Sequence, residues 1–280
     1  FAGPGGQGQA DWVHVLPIPN TFSGPFQGPD ATTRYSDEAA GLIQQIGGAE
    51  NTLAGCLLEI FPSVGGQLIP PAGYLQSLET AVRAQGGLLI ADEVQTGLGR
   101  LGSHLWAFEQ QGLQPDIVVL GKPIGNGHPM GAVITRKEIA ASFSNGMEFF
   151  STFGGSTVSC ATGKAVLEVI EAENLSALAA RTGAVLLDGL RALFADAPLR
   201  ADVRGLGLFL GVELCCEDGS PATEATGQLV NAMRERRVLM GSDGPHDSVL
   251  KIRPPICFTE ADATFFLDAM EGSLRGLSLR

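Results

Sequence analysis

Lysine is scarce in this chain. Only four of its 280 residues are lysine, against fourteen arginines. Aromatic residues make up 6% and charged residues 17%, and the formal net charge is −12 with no basic block. Wrapping nucleic acid or lying on an anionic membrane needs clustered cations, so both classes of partner are excluded from the reading. No apolar run approaches the roughly 18 residues of a membrane span. The five cysteines, Cys56, Cys160, Cys215, Cys216 and Cys257, are odd in number and form no CxxC pair. Reduced thiols in a cytoplasmic protein are expected, not a disulfide framework. The histidines at 14, 104, 128 and 246 form neither HxH nor HxxxH, and no metal site is expected. The chain opens on "FAGPGGQGQA". That stretch has no methionine or charged n-region, and reads as part of a flexible lead-in over 1–12 without a signal peptide.

What is present is a globular composition, 44% apolar, with an order of elements that repeats. "LAGCLLEI" (53–60), "GGLLIADEV" (86–94) and "PDIVVLGK" (115–122) each read as a short apolar strand of the kind buried on both faces of a parallel sheet. Helical segments over 71–86 and 105–112 fall between them. Alternating strand and helix is the signature of an α/β domain. "GAVIT" (131–135) predicts a further strand running into the helix "RKEIAASF", and long helices are expected over about 155–172 and 175–196. A strand at 204–214, a helix near 222–237, a strand at 249–258 and a last helix from Glu260 follow. Thr259 and Asp262 have capping-box spacing at its start. The expected division is a large domain over 13–172, a linking helix over 173–198 and a small α+β domain over 199–280.

Ligands of open α/β sheets bind beyond the carboxyl ends of the strands. The residues expected there are Glu59, then Asp92 and Glu93, then Lys122. Ionisable groups directly after apolar strands are costly unless paired or used. A salt bridge covering the sheet edge is the plain alternative. "LLIADE" resembles a magnesium-holding strand, but no GxxxxGK[ST] accompanies it. "GLGRLG" (97–102) matches GxGxxG, yet "DEVQT" separates it from the strand, so it reads as a flexible loop, not a dinucleotide turn. One chemistry uses an acid and a lysine at neighbouring strand ends. Pyridoxal phosphate is held by a lysine Schiff base while a carboxylate keeps its pyridine nitrogen protonated. Lys122 and Asp92 fit those two roles.

The stretch "LLIADEVQTGLGRLGSHLWAFEQQGLQPDIVVLGKPIGNGHPMGAVI" resembles the cofactor-attachment region of class III aminotransferases. These are fold-type I pyridoxal-phosphate enzymes, and the resemblance runs through nearly the whole chain. It implies that Lys122 is the Schiff-base lysine, that Asp92 pairs with the ring nitrogen, that Val94 packs on the ring face and that Gln95 sits near the ring hydroxyl. "FFSTFGG" (149–155) resembles the segment whose threonine, here Thr152, reaches a partner subunit's cofactor phosphate; a helix N-cap is the alternative for it. In "KIRPPICF", Arg253 takes the place of the arginine that grips a substrate carboxylate. Glu59 matches a glutamate close to the cofactor. Relatives with a second glutamate five positions on can mask the substrate-binding arginine; Val64 stands there, so Arg253 is expected to be unmasked.

Within the family, "GGQLIPPAGY", "SDGPH" and "VLKIRPPICFTEADA" are similar to the phospho-lyases of ethanolamine phosphate and phosphohydroxylysine. The family's amino-terminal segment, with a phosphate-binding run of small residues and a ring-stacking aromatic, has no counterpart here. The resemblance therefore implies a fold-type I large domain, incomplete at its amino terminus, plus a small carboxyl-terminal domain. The expected activity is transamination between an amine or amino acid and a keto acid, in a homodimer with a shared site. Elimination of phosphate and ammonia from a phosphorylated amine is the first alternative. A non-catalytic remnant is the second.

Overall fold

The computed structural model describes residues 8–48 and 53–277. Most of the lead-in expected over 1–12 lies outside them. The elements in chain order are α1 (Ala31–Gly47), β1 (Gly55–Glu59), α2 (Tyr74–Ala84), β2 (Leu88–Asp92), α3 (Ala107–Gln110) and β3 (Ile117–Leu120). A 3-10 turn (Lys122–Gly125), β4 (Ala132–Thr135), α4 (Lys137–Phe143), α5 (Thr157–Ala172) and α6 (Leu175–Ala195) follow. The chain closes with β5 (Arg200–Leu206), β6 (Phe209–Cys215), α7 (Thr223–Glu235), β7 (Gly241–Asp243), β8 (Val249–Ile252) and α8 (Glu260–Arg275).

Two compact units divide the chain. The first holds residues up to Cys56 together with Pro71–Leu88. In it α1 packs on α2. Tyr35, Ala39 and Ile43 lie four apart on α1 and are buried, as are Leu75, Leu78 and Val82 on α2. That spacing puts each set on one helix face. Tyr35 donates its hydroxyl to the Asn20 carbonyl at 2.9 Å, and the Phe26 ring meets it edge-on at 4.9 Å between centroids. Helix α1 was not expected from sequence.

The second unit holds Leu57–Pro70 and everything from Leu89 onward. Its first sheet runs β1-β2-β3-β4. Strands β2 and β3 are parallel, with Asp92 opposite Val119, and β4 returns antiparallel to β3, so the sheet is mixed. Asp116, 2% exposed just before β3, fixes this register. Its Oδ2 accepts from the Leu89 N–H at 2.8 Å, its Oδ1 pairs with Arg136, and its carbonyl accepts from Thr135 at 2.8 Å. One buried carboxylate thus ties β2, β3 and β4, and the partners make its burial tolerable.

The second sheet is antiparallel in the order β5-β6-β8-β7. Every residue of β6 is buried. Its core includes Leu186 and Leu190 of α6, Leu210 of β6, Leu229 and Met233 of α7, and Met270 of α8. The single strand expected over 204–214 is a hairpin. Gly207 turns it with φ +54, and Leu208 at the tip is fully buried, so no polar residue announces the turn. Strand β8 stops at Ile252, short of the expected 258. Pro254 and Pro255 cannot donate to a ladder. The capping box at α8 is formed: Asp262 N–H reaches Thr259 Oγ1 at 3.2 Å and Thr259 N–H reaches Asp262 Oδ2 at 2.9 Å.

Candidate active site

Three ionisable side chains stand at neighbouring strand ends. Glu59 closes β1, Asp92 closes β2 and Lys122 follows β3 after one residue. Glu59 is close enough to feel both the Asp92 and the Lys122 charges. Burial pushes the Glu59 carboxyl up from its ordinary value, the Ser63 N–H bond pulls it down, Asp92 raises it again and Lys122 opposes. The bond from Ser63 N–H to Glu59 Oε2 is 2.7 Å. Asp92 Oδ1 accepts from the Val94 N–H at 2.8 Å, a local turn that fixes the carboxylate plane. Its Oδ2 has no hydrogen-bond partner among the described residues.

Lys122 is exposed. Its backbone is the notable feature: φ is +41, a left-handed conformation for a non-glycine residue. Gly121 before it is extended, and Pro123 follows. A left-handed non-glycine residue costs roughly 1–2 kcal/mol and tends to collect at functional positions. The kink ends β3 and turns the amine toward a cavity of about 220 Å³ lined by Lys122, Pro123, Val94, Gln95, Arg100, Arg253, Pro254 and Pro255. Five of these come from the first sheet's loops and three from the exit of β8.

Arg253 reaches this cavity from the second sheet. Its Nη1 is buried and without a hydrogen-bond partner. Desolvation lowers the guanidinium from its ordinary value, while Asp243 and Glu59 act in the opposite direction. Asp243 is itself paired with Lys251. An arginine held with a free buried donor suits an incoming carboxylate or phosphate. Thr152 is elsewhere: it is exposed in the segment between α4 and α5 and does not line the cavity. Nor does it cap α5, whose N-cap is Ser156, accepting from Ser159 N–H at 3.4 Å.

The glycine-rich loop at 97–102 is packed, not flexible. Gly97, Leu98, Gly99 and Leu101 are buried. A Cβ on Gly99 would lie 2.1 Å from Ser176 Oγ, and one on Gly102 would lie 2.6 Å from the Ala180 Cα, so both glycines allow α6 to approach. The partners lie over seventy positions away, and the sequence offered only the glycines as a signal. Two residues of this region went unassigned. Glu93, 1% exposed, accepts from Thr96 at 2.6 Å and from the Phe108 N–H at 2.9 Å, and so holds the start of α3. Arg100 lines the cavity beside Arg253.

The donor set fits the reactive end of pyridoxal phosphate. An amine and a carboxylate stand at adjacent strand ends, the carboxylate has an unpartnered oxygen, and an arginine offers an unpartnered donor across the cavity. Comparison with known proteins gives the family. The family profile "Aminotransferase class-III" matches residues 7–274. A Drosophila melanogaster protein named alanine–glyoxylate aminotransferase 2-like is 45% identical over 95% of this chain and 56% of its own length. An Arabidopsis thaliana protein, alanine–glyoxylate aminotransferase 2 homolog 2, mitochondrial, is 41% identical over 96% of the chain and 57% of its own. A solved phospholyase from Arthrobacter in complex with phosphoethanolamine is 39% identical with a TM-score of 0.84, over 89% of this chain and 60% of that one. The chain thus spans less than two thirds of the length of these relatives. It belongs to the class III aminotransferases, a family of fold-type I enzymes that depend on pyridoxal phosphate.

Proposed function

We propose that this protein is a pyridoxal-phosphate-dependent transaminase, moving an amino group from an amine or amino acid to a keto acid. The observation that carries this reading is the placement of Lys122 and Asp92 at neighbouring strand ends, with Arg253, whose buried Nη1 has no hydrogen-bond partner, lining the same cavity as Lys122. Bound pyridoxal phosphate supplies an electron sink for the carbanion left when a substrate loses its α proton. Asp92 would hold the ring nitrogen protonated through Oδ2. Val94 would lie on the ring face and Gln95 near the ring hydroxyl. Lys122 Nζ would hold the cofactor, yield to the substrate amine, take the α proton and return it to the cofactor carbon. Arg253 would grip the substrate's anionic group bidentately. Glu59, whose carboxyl burial pushes up from its ordinary value, would sit beside the ring.

Thr152 belongs to the same proposal through a second copy of the chain. Its neighbours Phe149, Phe150 and Phe153 are 74%, 79% and 84% exposed, an apolar surface suited to a homodimer interface. A strictly monomeric protein at micromolar concentration in analytical ultracentrifugation refutes the shared site. The large domain over 13–172, linking helix over 173–198 and small domain over 199–280 complete this reading. A cytoplasmic location rests on the cysteine usage, and among the described residues no helix is long and apolar enough to cross a membrane.

A phospho-lyase is the second reading, favoured by the likeness to the Arthrobacter enzyme and by the ease with which an arginine binds phosphate. Incubation with ethanolamine phosphate separates the two: phosphate release that needs no keto acid sinks transamination, and amino transfer that requires one supports it. A non-catalytic remnant would never take up pyridoxal phosphate. Uptake is read as an absorbance band near the visible edge that Lys122→Ala abolishes.

A further inference from the structure

We propose that Arg100 is a positioning residue for substrate recognition: it anchors the β8 exit so that Arg253 stands open as an anion receptor. The proposal rests on the reading of Arg253 given above and names the device that keeps it in place. Arg100 sits in the glycine-rich loop after β2, and its Nη1 donates to two carbonyls, Leu208 at 3.1 Å and Pro254 at 2.8 Å. Leu208 returns the contact, its N–H reaching the Arg100 carbonyl at 2.9 Å. One guanidinium nitrogen therefore ties the β5–β6 turn and the residue next to Arg253 to the loop that begins at Asp92.

Three further observations give this tie a purpose. Pro254 and Pro255 have no N–H, so they cannot be held by a strand ladder, and the carbonyl of Pro254 is where the segment can be gripped. Gly207 leaves room for it: a Cβ there would lie 2.5 Å from the Arg100 carbonyl. Arg100 makes no salt bridge among the described residues, yet it is buried enough to be lowered to about 10, first by desolvation and then by the charge of Arg253. Two guanidinium groups line one cavity, and the buried Nη1 of Arg253 has no hydrogen-bond partner among the described residues. A half-buried pair of like charges is unfavourable until an anion arrives. The ammonium of a lysine at position 100 ends short of the Nη1 position and has no rigid plane to hold a donor between both carbonyls.

The test is calorimetric titration of inorganic phosphate into the protein, as purified and after loading with pyridoxal phosphate, for wild type, Arg100→Gln, Arg100→Lys, Arg253→Ala and the Arg100→Gln/Arg253→Ala double variant. Thermal unfolding confirms that each is folded. Loss of the Arg100 tie should weaken phosphate about tenfold, with Arg100→Lys recovering little of it. Arg253→Ala should weaken it further, and the double variant should be no worse than Arg253→Ala, because Arg100 acts through Arg253. For amine substrates, Arg100→Gln should raise KM for carboxylated or phosphorylated amines and leave an uncharged alkylamine unaffected, a split that general damage to the fold would not produce. Additive losses, unchanged phosphate binding in Arg100→Gln, or no phosphate binding by wild type overturns the proposal. Failure to take up pyridoxal phosphate overturns the transaminase reading, and leaves the phosphate titration of the purified protein to decide this one.

Discussion

Arg204→Met should be among the most damaging single changes in the second unit. Arg204 is 9% exposed and lies on β5. It donates from Nη1 to Asp202 at 2.5 Å, from Nη2 to Glu213 at 2.7 Å and to the Gly66 carbonyl at 2.6 Å, and from Nε to the Gln67 carbonyl at 3.2 Å. Asp202 and Glu213 face each other across the β5–β6 ladder, so the guanidinium separates two like charges. Methionine fills much of the same stem volume and keeps the cavity term small. What remains is the loss of the ion pairs to Asp202 and to Glu213, itself 4% exposed, and of the donors to the Gly66 and Gln67 carbonyls, together about 3–5 kcal/mol. At about 2–3 °C per kcal/mol, the melting temperature should fall by about 10 °C. Differential scanning fluorimetry with urea titration measures both. The double variant Arg204→Met/Glu213→Leu removes the buried carboxylate as well and should recover part of the loss, with the Gly66 and Gln67 carbonyls still lacking their donor. A double variant as unstable as the single one, or a single variant within about 1 kcal/mol of wild type, refutes the buried-charge argument.

Lys122→Gly and Lys122→Ala should both abolish the cofactor absorbance band. The glycine variant should be the more stable by about 1 kcal/mol in urea titration, because only glycine adopts φ +41 without strain. Gly102→Ala should cost about 2–4 kcal/mol, since the new Cβ meets Ala180 at 2.6 Å where φ is already +79; scanning calorimetry checks it. Glu59 is raised above its ordinary 4.5, so the folded protein binds more protons than the unfolded chain. Its contribution is fully present below 4.5 and is lost as pH rises through the folded value. Urea titrations at pH 4 and pH 7 should show wild type losing more stability over that interval than Glu59→Gln; equal losses refute the assignment.

The strand ends were legible because their signal is local. Short apolar runs ending on Glu59, Asp92 and Lys122 place those groups at one edge, and no distant contact is needed to read that. Helix α1 escaped notice because its buried face is built from Ala31, Tyr35, Ala39 and Ile43, too weakly apolar to stand out as a period. The β5–β6 hairpin was read as one strand because its turn is buried, and a buried turn has no reason to be polar. The glycine-rich loop was read as flexible for a related reason. Glycine lowers local order in an isolated chain, but here it admits the α6 backbone, and Ser176 and Ala180 are invisible from positions 97–102. The exposure of Lys122 is not legible in sequence, because position after an apolar strand says nothing about which way a left-handed kink sends the side chain.

What holds the cavity in place follows a rule the composition hints at. Arg100 reaches Leu208 and Pro254, and Arg204 reaches Gly66 and Gln67, contacts separated by 108 to 154 positions in sequence. Each arginine brings together segments that secondary structure does not join: Pro254 beyond the end of β8, and Gly66 and Gln67 between β1 and α2. Carbonyls in such segments have no ladder partner and need a donor that reaches more than one at a fixed angle. Guanidinium meets that need and an ammonium does not. The bias of fourteen arginines over four lysines therefore leaves hydrogen-bond geometry to arginine. Lysine is kept at position 122, where a single mobile amine is what the proposed chemistry needs, and an arginine there would be too rigid and too permanently charged to exchange with a substrate.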